Sequence, residues 1–274
     1  MSYIEELFSV KGKVALFTGG AGVLAGAIAR GLGRAGARIV LTDIAPLEER
    51  VQEMRQLGLE AYGYRMDVLD IADFERVAEQ VKLEVGAVDV LLYAAGGNMP
   101  EASTSPDRSF FDLPLEALQK VVNLNLFGGA ILPSQVFAKQ MLETEAGGVI
   151  INFSSMSAFK PLTRVLGYSA AKAAVSNFTQ WLAVHIAQEY SPKVRVNAIA
   201  PGFFLTNQNR YLLLDEAGNL TPRGQAIIAH TPMGRFGEPD DLVGTIIWLA
   251  SPASAFVTGA VIPIDGGFSA FAGV

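Results

Sequence analysis

The regular alternation of short apolar runs with helical patterns restricts this chain more than any other feature of its sequence. VALFT (14–18), RIVLTD (38–43) and VIINFS (149–154) each contain three or four consecutive apolar residues. A parallel strand covered by helices on both faces has this composition, whereas a half-exposed strand alternates apolar and polar residues. We therefore predict an α/β fold with one doubly wound parallel sheet, helices on both faces and a single domain over residues 1–274.

The remaining elements follow in the same order along the chain. Further strands are predicted at residues 61–65, 88–95, 194–200 and 260–265, and helices at 25–35, 47–57, 71–85, 115–141, 168–190 and from Glu238 onward. Asp70 is expected to cap the helix that starts at residue 71. Residues 203–231 lack clear strand character. We interpret them as a small lid insertion over a substrate site, which in such a sheet lies at the carboxyl ends of the strands.

Composition excludes several classes of function. The net charge is −6, which disfavours nucleic acid and anionic membranes as partners. The absence of cysteine excludes disulfides and thiolate metal sites, and the two histidines make a zinc site unexpected. MSYIEELF at the N-terminus lacks the basic and then apolar pattern of a signal peptide, and no uncharged apolar run reaches the roughly 18 residues of a membrane span. We expect a soluble, cytoplasmic protein without a metal site.

A glycine-rich turn, TGGAGVLAG at residues 18–26, joins the first strand to the first helix. Glycines let the backbone turn sharply and approach a pyrophosphate, and the free N–H groups of a helix N-terminus bind its charge. Gly19, Gly22, Val23 and Leu24 are therefore candidate contacts of a dinucleotide. A tight turn without any ligand would show the same glycines, so other residues must support this interpretation.

Asp43 supports it, because it ends the second strand at the distance where an acid accepts hydrogen bonds from the adenosine ribose hydroxyls. Its charge would repel a 2′-phosphate, and no basic residue follows it directly. This pattern favours NAD over NADP. The alternative is a solvated aspartate at a strand end. Asp67, in RMDV at the end of the third strand, is a candidate contact of the adenine edge or a plain cap for the next turn.

A tyrosine and a lysine four residues apart open the helix at residues 168–190, and residues at this spacing share one helix face. A tyrosine has a pKa near 10 and catalyses proton transfer poorly at pH 7 unless a cation stabilises its phenolate. Lys172 would be that cation for Tyr168. Ser155 would hold the substrate oxygen, and Asn125 could connect the lysine to solvent through water. The pair alone is weak evidence, because this spacing is common on helices.

Read together, these residues resemble the short-chain dehydrogenase/reductase family over nearly the whole chain. The matching signs include Asp67-Val68, a Ser155 that lies thirteen residues before Tyr168, RVNAIAPG, and the closing IDGG. The resemblance implies a Rossmann-type fold, an NAD(H)-dependent oxidoreductase and a homotetramer. It also implies a catalytic tetrad and a set of cofactor contacts. The implied tetrad is Asn125, Ser155, Tyr168 and Lys172. The implied cofactor contacts add Val68, Ala94, Ala95, Gly96, Pro201, Gly202, Phe204 and Thr206 to the residues above, with Tyr168 and Lys172 again among them.

The chain departs from the family pattern at two places. The family's glycines would fall at positions 23 and 25, where Val23 and Ala25 stand, so the register of the turn is open. The family's Asn-Asn-Ala-Gly is replaced by YAAG at residues 93–96. Both asparagines are missing, and the link they usually make between neighbouring strands must have a substitute. Neither change removes a catalytic group.

Several stretches are similar to the subgroup of D-mannonate oxidoreductases, also called fructuronate reductases. They include AAGGNMP, APGFFLTNQNR and HTPMGRFGEP. This resemblance implies hydride exchange between D-fructuronate and D-mannonate. A sugar acid needs a cation for its carboxylate, and an arginine can bind a carboxylate with two hydrogen bonds. The candidate substrate contacts are Asn98, Lys160, Arg164 and Arg210, and for each the alternative is a solvated surface residue.

Two other functions compete with this one. The rival within the enzyme class is a reductase of another keto-sugar acid or of a 3-oxoacyl substrate. Phe203 and Phe204 would suit an apolar pocket for a steroid or acyl substrate, and the alternative is that they pack the lid onto the cofactor. A dinucleotide-binding regulator that senses NAD(H) without catalysis is the alternative from another class. The intact Ser155, Tyr168 and Lys172 argue against the regulator, because a chain that has lost catalysis would be expected to have lost one of them.

Overall fold

A computed structural model describes residues 2–206 and 209–273. Seven strands form one sheet in the order β3-β2-β1-β4-β5-β6-β7, and every neighbouring pair is parallel. This confirms the predicted α/β class with a Rossmann-like parallel sheet. The strands are β1 (Val14–Thr18), β2 (Arg38–Asp43), β3 (Ala61–Arg65), β4 (Val90–Tyr93), β5 (Gly148–Phe153), β6 (Val194–Pro201) and β7 (Val261–Ile264).

The sheet is the middle layer between two hydrophobic cores. In β1, Leu16 packs into one core and the next residue, Phe17, packs into the other. Successive side chains of a strand point to opposite faces, so a strand with a core on each side needs apolar residues at every position. All residues of β1, β4, β5 and β6 are buried. Double coverage therefore explains why these strands are continuous apolar runs.

Helices cover both faces, and most lie where the sequence predicts them. They are α1 (Tyr3–Leu7), α2 (Val23–Arg34), α3 (Glu48–Gln56), α4 (Ile71–Glu84), α5 (Leu115–Val122), α6 (Leu132–Leu142), α7 (Leu166–Glu189), α8 (Arg210–Leu213), α9 (Pro222–Ala229) and α10 (Val243–Ala250). Asp70 caps α4 as predicted, since its side chain accepts a hydrogen bond of 2.9 Å from the amide of Ala72. Helix α7 begins two residues before the predicted Tyr168.

The predicted helical region over residues 115–141 is helical throughout, but its middle is not an α-helix. Between α5 and α6 the chain forms a π-helix, Asn123–Ile131. Pro133 stands in the first turn of α6. A proline in a helix interior removes one hydrogen bond and crowds the carbonyl four residues earlier, and wider π turns just before it relieve that crowding.

The same combined helix, Leu115–Leu142, is long and apolar enough by composition to cross a membrane. Half of its most apolar window is buried inside the protein, and it packs on α4 and α7. This arrangement is typical of a core helix.

The lid segment (residues 203–231, of which 207 and 208 lie outside the described residues) contains α8 and α9, joined by an antiparallel bridge between Leu214 and Leu220. A parallel bridge from Phe204 to Gly237 lies at its base. The C-terminal segment (residues 265–273) packs against it through aromatic rings. The centroids of Phe203 and Phe268 are 5.2 Å apart.

Candidate active site

The direction of the strand order reverses between β1 and β4. Ligands of doubly wound sheets bind in the crevice at such a point, outside the carboxyl ends of the strands. A cleft of about 710 Å³ opens there. All predicted cofactor contacts line it, namely Gly19, Gly22, Val23, Leu24, Asp43, Asp67, Val68, Ala94, Ala95, Gly96, Tyr168, Lys172, Pro201, Gly202, Phe204 and Thr206. Residues up to 190 positions apart in sequence, Gly19 and Asn209, therefore border one cavity.

The geometry of the glycine-rich turn resolves its register. Gly19 has a φ of +67°, and a Cβ atom there would lie 2.7 Å from Cα of Ala95. Only glycine fits this conformation at this close approach. Gly22 is extended and is the N-cap of α2, so Val23 and Leu24 form the first turn of the helix. Their amide groups have no acceptor within the helix, which suits this end of the cleft to a pyrophosphate.

Asp43 is half-buried at the end of β2 and is held by backbone amides. Its Oδ2 accepts a hydrogen bond of 3.0 Å from the amide of Ala21, and its Oδ1 accepts one of 3.0 Å from the amide of Ala45. Each carboxylate oxygen has more than one lone pair, so both can still accept from ribose hydroxyls. The carboxylate therefore positions the turn as well as lining the adenosine end of the cleft.

Asp67 has one of the two roles that the sequence left open, and its contact with the adenine edge stays a prediction. Its Oδ1 accepts a hydrogen bond of 2.9 Å from the amide of Leu69, which caps the turn after β3. Its side chain also lines the cleft beside Val68.

Other residues replace the asparagines missing from YAAG. The hydroxyl of Thr18 accepts a hydrogen bond of 3.3 Å from the amide of Ala95 and so links β1 to the end of β4. The fully buried side chain of Asn125 binds both backbone groups of Gly97, accepting from its amide at 3.1 Å and donating to its carbonyl at 2.6 Å. Asn125 itself does not line the cleft. Its side chain therefore positions the loop after β4, and a role in the catalytic tetrad remains a prediction.

Ser155 follows β5 and is 7% exposed. Its Oγ accepts a hydrogen bond of 3.2 Å from the amide of Ser157, because Ser155 is the N-cap of a short 3₁₀ turn, Met156–Ala158. With one lone pair occupied, the hydroxyl proton is directed elsewhere. A hydrogen bond between Ser155 and the phenol of Tyr168 lowers the pKa of Tyr168. Ser155 is thus oriented to hold an oxygen next to that phenol.

Tyr168 and Lys172 lie on one face of α7, as their spacing predicts. The ammonium of Lys172 is 5.5 Å from the centroid of the Tyr168 ring. Lys172 is 5% exposed, and its ammonium donates a hydrogen bond of 2.7 Å to the carbonyl of Phe153. Burial lowers the pKa of Lys172 to about 8. Burial also raises the pKa of Tyr168, and this outweighs the opposite effect of Ser155. The phenol is therefore protonated at pH 7 and can donate its proton.

The segment after β6 forms the wall of the cleft opposite the glycine-rich turn. Gly202 lies so close to Asp265 that a Cβ atom would be 2.6 Å from the Cβ of that residue. Asn209 holds the segment in shape, accepting from the amide of Thr206 at 2.8 Å and donating to the carbonyl of Phe204 at 2.7 Å. Asn209 also lines the cleft. The only sequence signal for this role is an asparagine three residues after the threonine.

The candidate substrate contacts do not cluster in the cleft as the candidate cofactor contacts do. None of Asn98, Lys160, Arg164 and Arg210 lines the cleft. Asn98 donates its side-chain amide to Ser103 at 2.7 Å. Lys160 donates to the carbonyl of Phe271 at 2.6 Å, so its ammonium binds the C-terminal segment. Arg164 and Arg210 are exposed.

Metal-ligating side chains do not cluster anywhere within residues 2–206 and 209–273, where no group of three or more could hold a metal ion. The polar side chains that line the cleft include the carboxylates of Asp43 and Asp67 at one end and Ser155, Tyr168 and Lys172 at the other. This set suits a dinucleotide and proton transfer to or from a substrate oxygen.

Comparison with known proteins agrees with this geometry. A family model described as enoyl-(acyl carrier protein) reductase matches residues 20–269. An uncharacterized oxidoreductase of Bacillus subtilis (strain 168), UxuB, is 46% identical over 277 residues, covering 97% of this chain and 98% of the relative.

Two solved structures share the fold over nearly their whole length. One, from Haemophilus influenzae, is described as a proposed D-mannonate oxidoreductase with bound NAD; it has a TM-score of 0.89 and 44% identity, and covers 97% of this chain and 98% of that one. The other is a gluconate 5-dehydrogenase from Burkholderia cenocepacia J2315 in complex with NADP and tartrate. It has a TM-score of 0.84 and 30% identity, and covers 98% of this chain and 100% of that one. From its sheet, its cleft and these matches, the chain belongs to the short-chain dehydrogenase/reductase family of oxidoreductases.

Proposed function

We propose that this chain exchanges a hydride between NAD(H) and a sugar acid, with D-fructuronate and D-mannonate as the substrate pair. The observation that carries the chemistry is the placement of Ser155, Tyr168 and Lys172 at one end of the cleft. The names of the two similar structures, a proposed D-mannonate oxidoreductase and a gluconate 5-dehydrogenase, support a sugar acid as the substrate.

In the reducing direction, the carbonyl carbon of the substrate gains a hydride and its oxygen gains a proton. A reduced nicotinamide bound in the cleft would supply that hydride and would be oxidised in turn. Ser155 holds the carbonyl oxygen through its hydroxyl, and Tyr168 donates the proton from its phenol. Lys172 stabilises the resulting phenolate, which regains a proton from solvent. The oxidising direction uses the same groups in reverse.

NAD is the cofactor we propose, because Asp43 ends β2 at the adenosine end of the cleft, where the ribose hydroxyls would lie. A carboxylate there accepts hydrogen bonds from two ribose hydroxyls and repels a 2′-phosphate. The similar structures include one with NAD and one with NADP, so the family alone does not fix the choice.

Replacing Asp43 by alanine should weaken NADH binding about tenfold, since charge-assisted hydrogen bonds of this kind are worth about 1.5–3 kcal/mol. It should also raise the relative use of NADPH, because the repulsive charge is gone. The measurement is kcat/KM with each cofactor. Asp43→Asn is the matched control, since it removes the charge but keeps an acceptor for the turn. An unchanged NADPH-to-NADH ratio in both variants would show that Asp43 does not select the cofactor.

The substrate is tested by following NADH at 340 nm with D-fructuronate, beside NADPH and a panel of other keto acids. We expect fast oxidation of NADH by D-fructuronate. Activity with a different keto acid only would keep the oxidoreductase and overturn the proposed substrate. NADH binding without turnover of any compound would favour the sensing regulator.

The same assay distinguishes the two arginines available to bind the carboxylate. Arg210 opens α8 in the lid segment, and Arg164 lies in the loop before α7. We expect Arg210→Ala to raise KM for the sugar acid and Arg164→Ala to leave it near the wild-type value. The reverse pattern would assign the carboxylate to the loop.

One observation favours a second candidate, an acyl substrate. The matching family model is described as an enoyl-(acyl carrier protein) reductase, and Phe203 and Phe204 place two aromatic rings at the cleft. Turnover of a 3-oxoacyl thioester in place of the sugar acids would support it.

We also propose a cytoplasmic homotetramer. Large apolar side chains such as Leu115, Trp181 and Val184 stay exposed on α5 and α7, at 67%, 56% and 57%, and helix faces of this kind are commonly buried between subunits. Sedimentation equilibrium of the purified protein measures the assembly, and a monomer at micromolar concentration would contradict it.

A further inference from the structure

A guanidinium group lies behind the glycine-rich turn, where the usual family pattern does not call for one. Arg50, on α3, donates to the carbonyl of Gly22 from Nη1 and to the carbonyl of Ala21 from Nη2, each at 3.3 Å. A Cβ atom built on Gly26 would lie 1.6 Å from Nη1 of Arg50. The guanidinium therefore occupies the space that any side chain at position 26 would fill.

This contact explains a departure that the sequence left open. The family pattern places glycines at positions 23 and 25, and this chain has one at position 26 instead. Gly26 is the buried fourth residue of α2, and within a helix glycine is less favourable than alanine. Glycine is needed at position 26 because the guanidinium of Arg50 occupies the space of its missing side chain.

The bonds to Arg50 strengthen the orientation of the neighbouring amides. The carbonyl of Gly22 also accepts the first hydrogen bond of α2, from the amide of Gly26 at 2.9 Å. In a planar trans peptide, the C=O and N–H groups point in opposite directions. Since the carbonyl of Gly22 points to Arg50, the amide of Val23 points away from it, and Val23 lines the cleft. Asp43 holds the same turn from the side of β2 through the amide of Ala21. Two charged side chains from different elements thus clamp one turn.

The charge of Arg50 adds to this effect. Arg50 is half-buried, and its guanidinium forms no ion pair with any carboxylate in the described parts of the chain. An unpaired cation behind a helix N-terminus reinforces the positive end of the helix dipole, which favours a doubly charged anion on the other side of the turn.

We propose that Arg50 is a positioning residue for the pyrophosphate of the dinucleotide, and that Gly26 serves to admit it. The inference rests on the dinucleotide-binding role of the cleft. Arg50 and Gly26 together order a turn that lacks the usual glycines of the family.

The test compares ligands with and without a pyrophosphate. Arg50→Met should raise the Kd of ADP and of NADH about tenfold, near the lower end of the worth of a charge-assisted hydrogen bond, and should leave the Kd of adenosine within about twofold. Gly26→Ala displaces the guanidinium and should act in the same way. Because both changes break one contact, the double variant should bind ADP no more weakly than the weaker single variant.

The matched control is Arg30→Met. Arg30 joins the same two helices through an ion pair of 3.7 Å with Glu53 but does not touch the turn, so we expect unchanged affinity for ADP. If Arg50→Met is poorly folded, the Kd values of ADP, NADH and adenosine are measured with Gly26→Ala and Arg50→Lys instead. Equal losses for ADP and adenosine, additive losses in the double variant, or a wild-type Kd for ADP in Gly26→Ala would overturn the inference. A wild-type protein that binds neither ADP nor NADH would instead refute the dinucleotide site itself.

Discussion

Replacing Tyr168 by phenylalanine should lower turnover about a thousandfold while NADH still binds. General acid–base catalysis contributes about 10²–10⁴-fold, and the phenol is the group in the cleft whose proton can reach an oxygen held by Ser155. Phenylalanine keeps the ring that lines the cleft and removes only the hydroxyl. The loss should therefore be in kcat, with little change in the Kd of NADH.

The measurement is single-turnover reduction of the substrate together with NADH binding by fluorescence. Tyr190→Phe is the matched control, since Tyr190 ends the same helix and is 64% exposed far from the cleft. Near-wild-type turnover in Tyr168→Phe would show that another group moves the proton.

Replacing Lys172 by methionine should change activity and stability in opposite directions. Turnover should fall about a hundredfold or more, because the phenolate of Tyr168 loses its neighbouring cation. Stability at pH 7 should rise. Burial lowers the pKa of Lys172 from 10.5 to about 8, and this shift corresponds to about 3 kcal/mol of unfavourable burial of the charge. The variant avoids this unfavourable burial but also loses the hydrogen bond from Lys172 to the carbonyl of Phe153, which cancels about 1 kcal/mol of the gain.

The net gain of about 2 kcal/mol should raise Tm by about 5 °C in a chain of this size. The difference in stability between Lys172→Met and the wild type should also depend on pH. Below about pH 8 the folded and unfolded chains both carry the proton, and the wild type bears the full destabilisation. From about pH 8 to 10.5 the unfolded chain binds more protons at Lys172 than the folded chain, so wild-type stability rises toward that of the variant.

The pH dependence of the reaction follows from the same pKa. Reduction by the wild type should decline above about pH 8, as Lys172 loses the charge that stabilises the phenolate. Lys193→Met is the control for stability, because Lys193 is exposed and donates only to the carbonyl of Glu145. A Tm for Lys172→Met equal to or below that of the wild type would contradict the inferred burial of an unfavourable charge.

The strands could be predicted from patterns within a single element, because burial on both faces favours runs of apolar residues. The meeting of Ser155, Tyr168 and Lys172 could be predicted from the topology, because β5 ends at the same edge of the sheet where α7 begins.

What the sequence did not reveal depends on contacts between distant residues. Nothing near Lys160 indicates that its ammonium binds the carbonyl of Phe271, 111 positions later. Likewise, the guanidinium of Arg50 and the missing side chain of Gly26 explain each other only when α2 and α3 are packed together. The π-helix also escaped prediction, because its residues have the same apolar character as the α-helices on either side.

That π-helix has a consequence for insertions and deletions. A π turn holds more residues than an α turn, so the segment Asn123–Ile131 contains surplus chain between α5 and α6. Deleting one residue between Asn125 and Pro133 removes that surplus, so the segment becomes a regular α-helix while α5 and α6 keep their relative positions. The same deletion within α5 or α6 has no surplus to remove, and it would rotate the residues before it by about 100° relative to those after it. We therefore expect the π-helix to tolerate a one-residue deletion better than the helices on either side of it.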